Sequence, residues 1–435
     1  MSASASTLRG APSPAVGKLA TAWERPGQLL FYALLLYFVL EYVRPPLISQ
    51  LRLQMLFVLA VPVVWFLSKE RPWSRSLTLL VVLMAYCASA VFWAYNYFSA
   101  YLITRSLFGF TAVALAITWV MSDREYFVRA IWFWVAIMLY QAVHAIFGGG
   151  RGSGGYIGDE NDLALACVTA FPIAFLGARA FHGRAKLACV VLVVGLTAGV
   201  VASFSRGGFV AFAAVLGYCV LTGRHRVRNT VIGLVAAAIM LAMAPAGYRA
   251  EIRSITQTTT GTAEGRLFLW FAAWRMWLDH PLLGVGPASN IFLIGDYQPR
   301  QNEGGLFNQD MYRYRSWSGT AVHSLYFEAL ADLGVLGCLI LAAIIADHLL
   351  RMRRLRRAYG DDADVPDALR RDVQIYGIGL SGAMVAYLSA GLFLSITYYP
   401  YVWYVTAMGV ALENWARRSA ASGRAGASPT PQEAG

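Results

Sequence analysis

The sequence predicts an all-α polytopic membrane protein with about twelve transmembrane helices and one large loop between them. Three observations carry that expectation. Hydrophobic residues make up 58% of the 435 positions and charged residues 14%, against about 25% charged in soluble domains. Apolar runs long enough to span the hydrocarbon core of a bilayer recur from residue 28 almost to the end. One long polar interruption, Tyr248 to His323, stands apart from them and carries seven arginines: Arg249, Arg253, Arg266, Arg275, Arg300, Arg313 and Arg315.

Residues 1–27, rich in Ser, Ala and Pro, are an expected cytoplasmic tail. No small-residue cleavage site follows the first apolar run, so that run reads as a retained signal anchor. The expected spans are 28–43, 51–67, 76–94, 98–120, 125–147, 161–181, 185–203, 206–222, 227–247, 323–350, 373–395 and 397–416. Arg44-Pro45-Pro46 ends the first, because proline cannot continue a helix and restricts its predecessor. The chain thus divides into nine spans within 28–247, a loop over 248–322, three spans within 323–416 and a second cytoplasmic tail over 417–435.

An even number of crossings puts both termini on one side. Lys and Arg number 24 on that side and 11 on the other, with Arg105 inside a span. The positive-inside rule therefore places the termini in the cytoplasm and the long loop outside. The same rule accounts for the net charge of +12. The bases lie in short loops and not along one stripe, which argues against a nucleic-acid partner. The run Arg351-Met352-Arg353-Arg354-Leu355-Arg356-Arg357 suits anionic lipid head groups. Cys87, Cys167, Cys189, Cys219 and Cys338 all sit in apolar runs without CxxC spacing, and read as packing residues.

This topology gathers three polar features on the outer side. Gly148 to Gly155 lacks the GK[ST] ending of a phosphate loop and reads as a flexible loop. Asp159, Glu160, Asn161 and Asp162 open the next helix and read as caps, with substrate contact as the second reading. Ser203-Phe204-Ser205-Arg206-Gly207-Gly208 is a very short connection whose glycines allow a tight turn. Arg206 either snorkels to the interface or donates paired hydrogen bonds to phosphate oxygens.

Within the long loop, Glu264 to Asp279 has the spacing of an amphipathic helix, with Leu267, Trp270, Phe271, Trp274 and Leu278 on a stripe and Pro281 beyond its end. Such a stripe is a packing face first and a sugar platform second. Arg266 occupies the first turn, where the helix dipole disfavours a cation. Gly284-Val285-Gly286-Pro287 reads as a turn, His280 as a cap, and 295–320 as a mobile lid or substrate loop. His323 stands at the outer end of the next span beside the arginine-rich loop, and its ordinary pKa suits a general base. Its spacing to Glu328 is not the HExxH zinc pattern, no Asp-x-Asp sugar-nucleotide site faces outward, and neither a catalytic metal nor a cofactor is expected.

Taken together, Ser205-Arg206-Gly207-Gly208, Gly265-Arg266 with Trp270, His280-Pro281-Leu282-Leu283-Gly284-Val285-Gly286, and His323-Ser324-Leu325-Tyr326 with Gly334 and Gly337 resemble the bacterial O-antigen ligase and polymerase superfamily. The motifs cover roughly positions 200 to 340. The resemblance implies a metal-independent, inverting glycosyltransferase of the C-type membrane fold at the periplasmic face of the inner membrane. Its donor would be an O-antigen polysaccharide on undecaprenyl diphosphate, and its acceptor the lipid A-core oligosaccharide. It further implies that Arg206 and Arg266 bind the diphosphate and that His323 is the catalytic base. Arg249, Arg253, Arg313, Arg315, Trp270 and Trp274 are further candidates for substrate contact. The related polymerase or a protein O-glycosylation ligase would share this chemistry and differ in acceptor. A lipid-linked sugar transporter is the reading from a different class, and it calls for midplane charges and inverted repeats.

Overall fold

A computed structural model describes residues 28–45, 52–69, 71–222, 262–299, 317–360 and 365–425. All regular structure among them is helical, in thirteen α-helices. In chain order these are α1 (Gln28–Tyr42), α2 (Leu53–Leu67), α3 (Arg75–Ser89), α4 (Tyr97–Val120), α5 (Arg124–Phe147), α6 (Glu160–Ala180), α7 (Gly183–Ala202), α8 (Arg206–Leu221), α9 (Thr262–Asp279), α10 (Asn290–Tyr297), α11 (Leu325–Leu355), α12 (Asp367–Ala390) and α13 (Tyr401–Ala425). Eleven of the expected spans coincide with helices. The span expected over 227–247 lies outside the described residues, as do Arg249, Arg253, Arg300, Arg313 and Arg315 and most of the stretch 295–320.

Seven helices are long and apolar enough to cross a membrane by length and composition: α3 with the short 3₁₀ turn that follows it, α4, α5, α6, α7, α11 and α12. The protein is therefore polytopic. The helices α1, α2 and α8 are equally apolar but have only 15 or 16 residues, about 24 Å of rise against a hydrocarbon thickness of about 30 Å. Helices α6 and α12 are the most enclosed. They pack on each other, with α7 and α8 also against α6, and α13 against α4 and α12.

The boundaries expected from charge are displaced where ion pairs let a helix continue past the apolar run. Helix α12 starts at Asp367, ahead of the expected 373, and its buried Asp372 accepts hydrogen bonds from Arg124 at the start of α5 (2.9 Å from Nε). Helix α11 runs on to Leu355, and Arg351 there meets Asp347 (3.0 Å) and Glu413 of α13. The five cysteines are all free, four of them buried, in keeping with a packing role.

A second, smaller core caps one end of the bundle. Phe268, Leu269, Ala272, Ala273 and Met276 of α9 pack with Val285, Leu293, Ile294, Trp317, Val322 and Ala331. The segment 281–290 fastens this cap to α11, and it does so at Gly334. There φ +60 and ψ −168 break the helix in a region open essentially only to glycine. The break frees backbone groups that the segment takes up: Val335 N–H donates to Pro281 O (2.9 Å) and Leu336 N–H to Leu282 O (3.2 Å). In return Val285 N–H donates to Ala331 O (2.8 Å) and Gly286 N–H to Asp332 O (2.9 Å). The buried Asp332 carboxylate accepts from Ala288 N–H (2.8 Å), Asn290 N–H (3.0 Å) and the Tyr398 hydroxyl (3.1 Å). Gly284 and Gly334 thus serve a close backbone approach, for a Cβ at Gly284 would stand 2.4 Å from the Asp332 carbonyl carbon and one at Gly334 2.5 Å from the Leu282 carbonyl.

The glycine-rich stretch 148–155, expected to be flexible, is tied down. Ser153 accepts at Oγ from Gln141 Nε2 (2.7 Å) and its N–H donates to Gln141 Oε1 (2.9 Å). Gly149, Gly150, Gly154 and Gly155 all have positive φ, so the glycines serve the turn itself.

Candidate active site

The capped end of the bundle brings together the starts of α6, α8, α9 and α11 and the connection 391–400 between α12 and α13. Each is placed by identifiable contacts. At the start of α8, Phe204 takes φ +52, and Ser205 follows as N-cap, accepting from Gly208 N–H (2.9 Å). The Ser205 hydroxyl donates to Asn161 Oδ1 (2.7 Å), and Asp159 in turn caps α6 by accepting from Asn161 N–H (2.8 Å). The two helix starts are therefore joined through one hydrogen-bonded chain, and Arg206 leads out from it. Gly208 lets α8 approach Ala164, where an added Cβ would lie only 2.3 Å away.

His323 is held in an unusual conformation, with φ +55. Positive φ is uncommon outside glycine and is kept only where the surroundings enforce it. Here the connection 391–400 does so. His323 N–H donates to Ser395 Oγ (3.0 Å) and Leu325 N–H to Gly391 O (2.7 Å). One turn into α11, the buried Glu328 accepts from Thr397 N–H (3.0 Å) and the Thr397 hydroxyl (2.6 Å). The same connection reaches both arginine-bearing helices. The Arg266 guanidinium lies 5.6 Å over the Phe393 ring, and a Cβ at Gly207 would stand 2.9 Å from Phe393 Cβ.

Arg206, Arg266 and His323, far apart in sequence, are thereby electrostatic neighbours, each partly buried. Burial, with the nearby charge of Arg206, lowers the pKa of Arg266, while Asp159 acts the other way. Burial and then Arg266 hold His323 below the usual histidine value, again with Asp159 opposing. The arrangement concentrates positive charge with reduced access to water. A neutral imidazole stands beside it. Such a centre can receive an anion on the guanidinium groups and a proton on His323.

The aromatic stripe of α9 divides. Trp270, one turn from Arg266, stacks on Phe327 of α11 (5.3 Å, 19°) and so joins the helix that bears Arg266 to the one that His323 precedes. Trp274 is exposed and meets Trp277 (4.6 Å). Arg275 lies nine residues from Arg266, on the opposite side of α9 at 100° per residue, and its guanidinium sits 5.9 Å over Phe271. His280 closes α9 with its backbone N–H, which donates to Met276 O and Trp277 O (both 3.1 Å). Among the described residues no three His, Cys, Asp or Glu side chains group as they would around a metal ion.

Sequence reasoning assigned 391–400 to the ends of two spans. The structure makes Phe393 and Ser395 parts of the site. Their signal was Gly391 and Pro400 bracketing Ser395 and Thr397, masked by the apolar residues between.

Fold and site thus define a polytopic membrane protein with a cationic, histidine-bearing centre at one end of its helices. The family model described as O-Antigen ligase matches residues 190–342, a segment that includes Arg206, Arg266 and His323. Residues 190–342 therefore form an O-antigen ligase family domain, which indicates a membrane glycosyl-transferring enzyme. No curated protein matches the chain.

Proposed function

We propose that the protein is an O-antigen ligase that transfers a polysaccharide from undecaprenyl diphosphate to the lipid A-core oligosaccharide. Its fold on this reading is the C-type membrane glycosyltransferase fold with about twelve crossings, and it works at the periplasmic face of the inner membrane. The observation that carries the reading is the meeting of Arg206, Arg266 and His323 at one end of the bundle, within the matched segment.

In the proposed step a hydroxyl oxygen of the acceptor sugar attacks the anomeric carbon of the donor. The new C–O bond forms as the bond from that carbon to the phosphate oxygen breaks, and the configuration inverts. Undecaprenyl diphosphate leaves with the bonding electron pair, and Arg206 and Arg266 stabilise the charge that develops on it. His323 accepts the proton of the attacking hydroxyl. Its lowered pKa keeps it neutral and able to do so at neutral pH. No metal takes part in this scheme. Arg249, Arg253, Arg313 and Arg315, which lie outside the described residues, and the exposed Trp274 are further proposed contacts for the phosphates and sugars of the substrates.

Incubating purified protein with undecaprenyl-diphosphate-linked polysaccharide, lipid A-core oligosaccharide and chelator tests this. The expected product is polysaccharide on lipid A-core. Longer lipid-linked chains would assign a polymerase, and a glycosylated protein would assign a protein ligase. Transfer only on adding metal would overturn the mechanism.

A further inference from the structure

The opposite end of the bundle holds a groove that the transfer reaction does not use. It encloses about 310 Å³ between α2, α3 and α4. Its walls include Trp65 and Phe66 of α2, Trp73 ahead of α3, Val81 of α3, and Phe108 and Thr111 of α4. The few polar atoms are turned away from a ligand. Thr111 donates to Leu107 O (2.7 Å) and accepts from Trp403 Nε1 (3.3 Å), and Trp73 Nε1 donates to Thr78 Oγ1 (2.8 Å). Trp65 Nε1 has no hydrogen-bond partner but is itself buried, so the surface left to a ligand suits a hydrocarbon chain.

Its place across the bilayer follows from the helices. The far end of α3 runs into 90–96, where Tyr95 N–H donates to Val285 O (2.9 Å) beside the cap. The near end, at Ser76, donates to Asp347 (2.6 Å), 22 residues beyond the start of α11 or about 33 Å at helical rise. The groove thus opens in the leaflet opposite His323, and exposed Val63, Phe66 and Leu67 of α2 turn outward there.

Cations stand at its mouth. Arg71 is exposed, anchored by Nε donating to Ser68 O (3.1 Å) and by its guanidinium 5.0 Å over the ring of Phe66, itself a groove wall. Exposed Lys69 lies two residues away, and Arg75, which opens α3, is 75% exposed and 3.8 Å from Asp347. Glu70, between Lys69 and Arg71 in sequence, lies outside the described residues. Trp65 and Trp73, themselves walls of the groove and 5.7 Å apart, flank Lys69 and Arg71 in sequence, and such rings favour a membrane interface.

The geometry points to a binding site for one anionic phospholipid of that leaflet, its acyl chain in the groove and its phosphate at Arg71 and Lys69. Charge complementarity selects the occupant, since a basic rim attracts anionic head groups and an uncharged rim would take any lipid. This site is independent of the transfer reaction.

Native mass spectrometry of the full-length protein, freed of lipid in detergent and titrated with phosphatidylglycerol or phosphatidylethanolamine of the same acyl chains, tests it. The wild type should retain phosphatidylglycerol at least tenfold better. Arg71→Glu should abolish that preference, and Val81→Trp, which fills the groove from a partly exposed wall, should reduce retention of both lipids. Arg184→Glu, an exposed charge at the start of α7, should change neither. Equal retention of the two lipids by the wild type would overturn the proposal. So would unchanged preference in Arg71→Glu, or equal losses in Arg71→Glu and Arg184→Glu.

Discussion

Arginines occupy both ends of the bundle, but they are set in opposite surroundings. At the end that carries Arg351, each described arginine in the network between helices meets a carboxylate. Arg351 pairs with Asp347 and Glu413, Arg417 with Glu413 (2.6 Å), and Arg124 with Asp372. At the other end, Arg266 has Arg206 and His323 as neighbours, with Asp159 as the opposing charge. The first arrangement neutralises charge and ties α3, α5, α11, α12 and α13 together. The second gathers like charge in a partly buried place, where burial first and then that charge lower the pKa values of Arg266 and His323, which is the condition of a site ready for an anion. Stability and function are therefore expected to separate by face.

Substitutions should expose that separation. His323→Ala carries the largest expected effect, a fall in transfer rate of roughly 10²–10⁴-fold with the helical signal unchanged, since a general base is lost. Arg266→Ala and Arg206→Ala should each lower it by about 10²–10³-fold, as removal of one charge-stabilising donor does. Initial rates alongside circular dichroism check both. Arg351→Ala should do the reverse. It takes one partner from Asp347 and Glu413, which are 10% and 16% exposed and keep Ser76 and Arg417, at a cost below that of a broken buried pair, about 3 kcal/mol. A thermal midpoint several degrees lower with transfer retained would bear this out; a loss of transfer without a loss of stability would break the comparison.

Smaller effects sharpen it. Ser205→Ala removes the N-cap of α8 and its bond to Asn161, at about 1 kcal/mol, and should loosen Arg206 enough to raise the apparent KM for donor more than it lowers kcat. The pH profile is the finest probe. Burial and Arg266 disfavour the imidazolium of His323, so the base form persists below the ordinary histidine value. Activity should fall only as pH drops through that lowered value. Asp159→Asn removes the influence that favours the imidazolium and should move the acid limb to still lower pH. A limb that moves upward would contradict this placement of Asp159.

How much of this was legible in the sequence varies by feature. The helices were, because burial in lipid demands long apolar runs and those runs are unambiguous in composition. Their ends were less so. Charge was taken as a boundary, yet Asp367, Arg370, Arg371 and Asp372 lie inside α12, because a helix can continue past the apolar run where its charges find partners such as Arg124. Arg206 and His323 stood out as polar residues at span ends, and Arg266 as a cation in an unfavourable helical turn. The aromatic stripe of α9 was also visible, though not that Trp270 would stack on Phe327 and so bring Arg266 toward His323. The connection 391–400 was hidden by its own apolar composition. A φ of +60 at Gly334 and +55 at His323 is a property of backbone that only the packed chain reveals.

The central claim is that Arg206 and Arg266 are assembled to receive a lipid diphosphate, whereas Arg351 is assembled to hold helices together. Equilibrium binding of undecaprenyl diphosphate to purified wild type, Arg206→Ala, Arg266→Ala and Arg351→Ala tests it most directly. Affinity should fall at least tenfold in the first two variants and stay at the wild-type level in Arg351→Ala. Equal affinity in all four proteins would contradict the account.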